Sequence, residues 1–421
     1  MNARVPAALF TAILALPLCA ATRMTYNING APTAIAWPAS SFPLRYEIDE
    51  RVAQLNPIAT SMIDRAFAAW SAVPETDVHF QSRGVVRNAE ADAADHVVVS
   101  IADDLFRDQG AAAITTYTYD TSTGRMTDAD IRIDASLFRG DLNAQMAIQH
   151  EVGHVLGLDH SAVLTSIMFP YVCPASTAAE FDSDDRIAIS QIYPKGDPTM
   201  NGATLQGRVV GDQGGIFAAQ VVAVDDRGQP VGTSLTNAAG EFTLTGIPAG
   251  RYRLYAEPLD GPVEIGALQG IWRQAKLVAF PTEFFTTVNV ENGKIYGNLV
   301  ANAGGGTQQL NARWVGAMRA GSTEMSLATA PASVSPGETV TLAVGGDGFT
   351  SGMTQFEVLN PAFRRVSDYS WSSNYVRATY AIAPDAEPSS TVVVVRSGNE
   401  TATLTGAFRV YRAPRGRAVR K

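Results

Sequence analysis

The chain has almost no cysteine: two residues in 421, Cys19 and Cys173. Cys19 stands beside Ala20 and Ala21 at the end of an apolar N-terminal run, so a cut after either alanine leaves Cys173 as the only thiol. That excludes an intramolecular disulfide framework and leaves packing and bound metal to hold the fold. Charge is also scarce, at 17% of residues against 46% hydrophobic, and it sums to −9. Such a composition is globular, not disordered. With no basic excess, nucleic acid is not an expected partner, because sequence-independent phosphate binding needs clustered Lys and Arg. After the N-terminal run there is no stretch of about 18 apolar residues, so no later transmembrane segment is expected. Histidine is rare as well: of five in the chain, three fall within eleven consecutive positions.

What is present at the N-terminus has the order of a secretory signal peptide: Arg4, the apolar run Val5 to Leu18, then small residues. Residues 1–21 are therefore read as a leader and the mature protein as secreted and extracellular. Pro6, Pro17 and the polar shift at Thr22 argue against a core helix, and the large Leu18 argues against a lipid anchor on Cys19. The length implies about two to four domains. Gly 36 and Pro 22 lean toward turn-rich β structure.

Along the chain, Ile58, Met62, Ile63, Ala66, Phe67 and Trp70 lie at helical spacing and predict an amphipathic helix over Pro57 to Val73. Short strands are expected at His96 to Ile101, Ala112 to Tyr119 and Asp130 to Asp134, with a turn at Asp120 to Gly124. Asn143 to Leu158 reads as a second helix, capped by Asn143 or Asp141 and stopped by Gly157. A third is expected from Ser183 to Ile192, with Ser183, Asp184 and Asp185 as cap and first-turn acids. From Thr204 onward short strand-like runs alternate with turn pairs. The fold class is thus multidomain: an α+β domain over 22–198, an all-β sandwich over 203–302, a linker over 303–329, a second sandwich over 330–412, and a basic tail over 413–421.

The chemistry sits in the run from His150 to His160. Residues four apart share a helix face, so His150 and His154 present two imidazoles to one metal with Glu151 beside them. Gly157 permits the positive φ of a sharp turn that returns His160 as a third imidazole. Three neutral imidazoles suit Zn2+ and leave a fourth position open, the pattern of a catalytic site. Zinc acidifies water and polarises a carbonyl, and Glu151 is the candidate general base. His79 and His96 lack such a setting and read as ordinary surface or strand residues.

Those five specified residues, HExxHxxGxxH, together with Ser161 and the run Ser166-Ile167-Met168-Phe169-Pro170, resemble the matrixin family of the metzincin clan over about residues 37 to 195. The resemblance implies a metzincin fold with a mixed sheet and three helices, and zinc-dependent hydrolysis of protein or peptide substrates. It makes Met168 the residue of a tight turn beneath the histidines, and places Pro170 and Tyr171 on a substrate pocket. Departures accompany it. No cysteine-switch segment is found, and Thr22 to Ala36 is too short for a latency prodomain. Ile114 to Asp134 holds no histidine for a second, structural zinc, whereas Asp120, Asp128, Asp130 and Asp134 leave structural Ca2+ open.

Thr204 to Pro258 resembles carboxypeptidase regulatory-like sandwiches, and Val334 to Thr339 with Gly345 to Phe349 is similar to bacterial IPT/TIG-type immunoglobulin-like modules, which points to a bacterial source. Neither carries a catalytic constellation; spacing, substrate docking and surface attachment stay open for both. The rival readings are an adhesion protein with a relic protease fold and a hydrolase of non-protein amides.

Overall fold

The computed structural model describes residues 23–89, 96–102, 107, 110–140, 142–171, 173, 179–197, 202–304, 308–322 and 324–411. The expected leader and the basic tail lie outside these, as does Asp141. Among the described residues no helix is long and apolar enough to cross a membrane.

The N-terminal part opens with a hairpin of β1 (Thr25–Ile28) and β2 (Ala31–Ala34) in the stretch expected to be only a short lead-in. It is structural: Met24 N–H donates to the Gly157 carbonyl at 3.0 Å, tying the hairpin to the end of the second predicted helix. Strands β3 (Leu44–Asp49), β4 (Phe80–Val86), β5 (His96–Ile101), β6 (Ala113–Tyr119) and β7 (Met126–Ile133) form one sheet in the order β4-β3-β5-β7-β6. All pairs are parallel except β6 with β7, which puts an antiparallel strand at one edge. β7 begins earlier than expected because its first half, Met126 to Ala129, holds Asp128 and the small Ala129, which carry little strand signal. The predicted turn at Asp120 to Gly124 joins β6 to β7, with Gly124 at φ 75°.

Among the described residues, four helices with defined bounds accompany the sheet: α1 (Glu50–Leu55), α2 (Ala59–Ser71), α3 (Ala144–Val155) and α4 (Ser183–Ile192). In α2 the buried residues Ile63, Ala66, Phe67 and Trp70 follow the 3.6-residue period and pack against Ile48, Val97 and Ile148. α1 is too short to show a period; Asp49 caps it, accepting the Arg51 N–H at 2.9 Å. Ser183 is not the cap of α4. Asp182 takes that place, and its own N–H is held by the Asp185 carboxylate at 2.8 Å.

The rest of the chain is β-rich. Strands β8 (Ala203–Gly211), β9 (Gly214–Gly215), β10 (Gln220–Asp225), β11 (Pro230–Leu235), β12 (Glu241–Ile247), β13 (Gly250–Glu257), β14 (Glu283–Val290) and β15 (Ile295–Asn302) make two sheets, β11-β10-β13-β14 and β12-β8-β15, with β9 on β8. One core joins them, with Leu205, Phe242 and Leu244 from one sheet meeting Val221 and Leu254 from the other. A second sheet pair uses β16 (Asn311–Arg319), β17 (Ala332–Val334), β18 (Thr339–Asp347), β19 (Gln355–Val358), β20 (Phe363–Arg365), β21 (Ser370–Trp371), β22 (Tyr375–Ile382), β23 (Ser389–Ser397) and β24 (Glu400–Val410). Their orders are β16-β18-β22-β20, with β21 on β22, and β17-β24-β23-β19. Here the expected linker over 303–329 is corrected: it contains β16, paired antiparallel with β18. Ala312, Gly316 and Ala317 hide that strand, because small residues carry little β signal.

These layers interlock. Leu164 and Phe169, from the loop after α3, belong to the core of the second sheet pair, and Ile187 of α4 belongs to that of the first. Leu164 N–H donates to the Thr405 carbonyl at 2.9 Å, and Arg409 donates to the Thr165 carbonyl at 2.9 Å. Asp182 accepts from Thr165 at 2.6 Å and from Ser390 at 2.8 Å. Asp184 accepts from Ser161 at 2.7 Å and from the Thr233 N–H at 2.9 Å. The acids at the start of α4 thus join three parts of the chain, beyond their expected role in capping.

Candidate metal centre

Helix α3 starts where the Asn143 side chain accepts the Met146 N–H at 3.0 Å, and it runs against the antiparallel edge of the sheet. Of the carbonyls at its end, those of Gly153 and His154 accept the N–H groups of Leu158 and Gly157, and the next two are taken by side chains. The Trp37 indole donates to Val155 O at 2.7 Å and the Tyr193 hydroxyl to Leu156 O at 2.9 Å. Gly157 then turns the chain at φ 88°. A Cβ there would stand 2.6 Å from the Ile35 carbonyl oxygen, so both the backbone angle and the space require glycine. Gly157→Ala is expected to cost about 2 kcal/mol or more, from the left-handed strain plus the clash. Denaturant unfolding of the metal-free chain measures this, and a loss under about 0.5 kcal/mol contradicts it.

The turn brings His160 to His150 and His154. Ring centroids lie 4.6 Å (150 to 154), 5.2 Å (150 to 160) and 4.9 Å (154 to 160) apart. One ring nitrogen from each falls within 4.8 Å of the others, and among the described residues this is the one group of three or more metal-ligating side chains so placed. In every case Nδ1 faces a backbone carbonyl: Ile167 O at 2.8 Å for His150, Leu158 O at 2.8 Å for His154, and Ala267 O at 2.5 Å for His160. A carbonyl only accepts, so each Nδ1 carries the proton and each Nε2 keeps its lone pair. Burial pushes all three pKa values down, His150 to about 3 and His154 well below the usual value, with His160 also lowered. The imidazoles are neutral at ordinary pH. Three neutral, oriented nitrogen donors are the donor set that zinc takes, so the residues fit the metal.

Glu151 points into the same cleft, where the Thr115 hydroxyl lies 2.7 Å from its Oε2. Burial raises its pKa to about 7, against that hydrogen bond. Met168 lies beneath the site: a Cβ on Gly153 would be 2.3 Å from its sulfur, so the glycine makes room for the methionine under the helix. The turn around Met168 is held by Asp185, which accepts from Ser166 Oγ at 2.5 Å and from the Ile167 N–H at 2.9 Å. Pro170 and Tyr171 line the open cleft of about 530 Å³, as do Ala112, Leu142 and Gln269.

Sequence reasoning missed Thr115, Asp159, Asp185 and the segment at Ala267 and Gln269. The acids suggested for calcium do not gather. Asp130 accepts the Val98 N–H at 2.8 Å, Asp134 accepts the Ser136 N–H at 2.8 Å, and Asp120 is exposed in its turn, accepting from Ser122. His96 faces Glu47 at 3.3 Å, away from the cluster.

Residues 36–194 match the family model described as Matrixin (Peptidase_M10). Metalloendoproteinase 2-MMP of Arabidopsis thaliana is 26% identical over 40% of this chain and 45% of its own length. Metalloendoproteinase 1 of Glycine max is 27% identical over 37% of this chain and 52% of its own. A short stretch is 46% identical to Matrix metalloproteinase-2 of Drosophila melanogaster, over 10% of this chain and 6% of that protein. The chain thus spans about half, or far less, of these relatives. Among solved structures, fervidolysin from Fervidobacterium pennivorans overlaps 51% of this chain and 32% of its own at 11% identity and a TM-score of 0.17, which carries no argument. Family match, helix, turn and triad agree: residues 36–194 carry a matrixin-type region whose three histidines form a possible zinc-binding triad.

Proposed function

We propose that this chain is a secreted zinc metalloendopeptidase in which His150, His154 and His160 hold the metal and Glu151 is the general base. The observation that carries the reading is the triad of carbonyl-anchored imidazoles opening on a cleft that also holds the Glu151 carboxylate. When bound, zinc supplies Lewis acidity to the scissile carbonyl and lowers the pKa of water at the site. Glu151 takes one proton from the attacking water and returns it to the departing amine nitrogen as the C–N bond breaks. Burial in the metal-free cleft holds this carboxyl group above its ordinary range. Thr115 keeps the carboxylate turned toward the cleft through its hydroxyl. Asp185 and Met168 support the floor of the site, and Pro170 and Tyr171 form a wall for substrate.

Secretion rests on the apolar run Val5 to Leu18 and the small residues after it. The two sheet pairs are assigned to carboxypeptidase regulatory-like and IPT/TIG-type sandwiches, a reading supported by the motifs of 204–258 and 334–349 and consistent with the sheet orders. Substrate docking is their proposed role.

The test is zinc content and cleavage of a generic protein substrate by the purified chain, before and after chelation. About one zinc per chain is expected, with cleavage abolished by chelator and restored by zinc. A chain without zinc, or cleavage indifferent to its removal, overturns the proposal.

A further inference from the structure

Antiparallel neighbours such as β13 and β14 need only a few connecting residues, yet residues 258–282 join them. The extra chain does not wander. It leaves the sheet edge, packs Ile265, Leu268 and Trp272 against Leu235 and Leu259, and crosses to the matrixin domain. There Ile271 N–H donates to Thr25 O at 2.8 Å, and the Tyr117 hydroxyl donates to the Gln269 side chain at 2.5 Å.

One further bond reaches the metal ligand itself, and a second reaches it through Asp159. The Ala267 carbonyl accepts from His160 Nδ1, and the Gln269 N–H donates at 2.9 Å to the Asp159 carboxylate, whose other oxygen accepts the His160 N–H at 2.8 Å. His150 and His154 take their carbonyls from Ile167 and Leu158 in their own domain. The partner of His160 comes from 107 residues later in the chain.

We propose that the 258–282 connection is a working part of the metal centre: Ala267 and Gln269 position His160, so the zinc affinity of the matrixin domain depends on the sheet pair that follows it. The inference rests on the zinc reading above and names a positioning element that acts through His160. Its physical content is orientation. Without the Ala267 carbonyl the ring loses what fixes its tautomer and rotamer, and without the Gln269 N–H one arm of Asp159 has no partner.

The test uses the full chain and two substitutions at one position. Gln269→Ala removes the side-chain amide and keeps the N–H; Gln269→Pro removes the N–H as well. Leu268, at φ −84° and ψ 166°, already has the extended backbone that precedes proline. Zinc affinity, read by competition with a chromogenic chelator, is expected to be about 10–100-fold lower for Gln269→Pro than for Gln269→Ala. Equal affinities for the two variants, in a wild type that binds zinc, overturn this inference alone; a wild type that takes up no zinc overturns the metal reading and the inference with it. Should Gln269→Pro misfold, the wild type decides. Zinc added to the metal-free chain is expected to slow amide hydrogen exchange across residues 265–272. Exchange there that ignores zinc sinks the proposal.

Discussion

Glu151→Gln is expected to leave zinc in place and lower kcat by about 10³-fold, within the range that general acid–base catalysis contributes. The replacement is nearly isosteric, its amide oxygen still accepts from the Thr115 hydroxyl, and no histidine changes its carbonyl partner. What disappears is the lone pair that takes a proton from water. Metal content per chain and initial rates on the same preparation separate the two roles. A variant that keeps more than about a tenth of wild-type turnover places the base elsewhere.

His154→Ala is expected to lose both metal and turnover. Structural zinc sites are worth about 10–16 kcal/mol with four ligands, so one ligand carries roughly 2.5–4 kcal/mol, or about 10²–10³-fold in affinity. His154 is buried, at 6% exposure, and its carbonyl partner Leu158 lies in the turn that delivers His160. Its removal therefore also loosens the third ligand. Zinc titration against a competing chelator reads the loss; stoichiometric uptake at wild-type affinity contradicts the assignment. The contrast between the variants is diagnostic, since one separates binding from turnover and the other abolishes both.

The residues of this site were legible where the chemistry is local. HExxHxxGxxH places two of the clustered imidazoles, the proposed base and the turning glycine by helical periodicity and φ preference alone, and the predicted bounds of Ser183 to Ile192 coincide with α4. The rest depends on tertiary approach. Thr115 is one of three threonines on β6, and nothing in its neighbours marks the one that faces α3. Asp185 reads as a helix-start acid, yet its carboxylate serves a turn on another segment. Ala267 acts through a backbone oxygen, which has no residue signature. The strand β16 was hidden by its small residues, and α1 by having a single buried position.

The bonds from β24 to the loop after α3 also set an order in time. Arg409 grips Thr165 from 244 residues downstream, and Ser390 reaches Asp182 from 208. At about 5–20 residues per second of synthesis, the loop bearing His160 and Met168 waits roughly 10–50 s for Arg409 to be made. A nascent chain cut off before β24 therefore holds all three histidines without the clasp on the loop that bears His160, so the candidate metal site is among the first parts written and the last to be fastened.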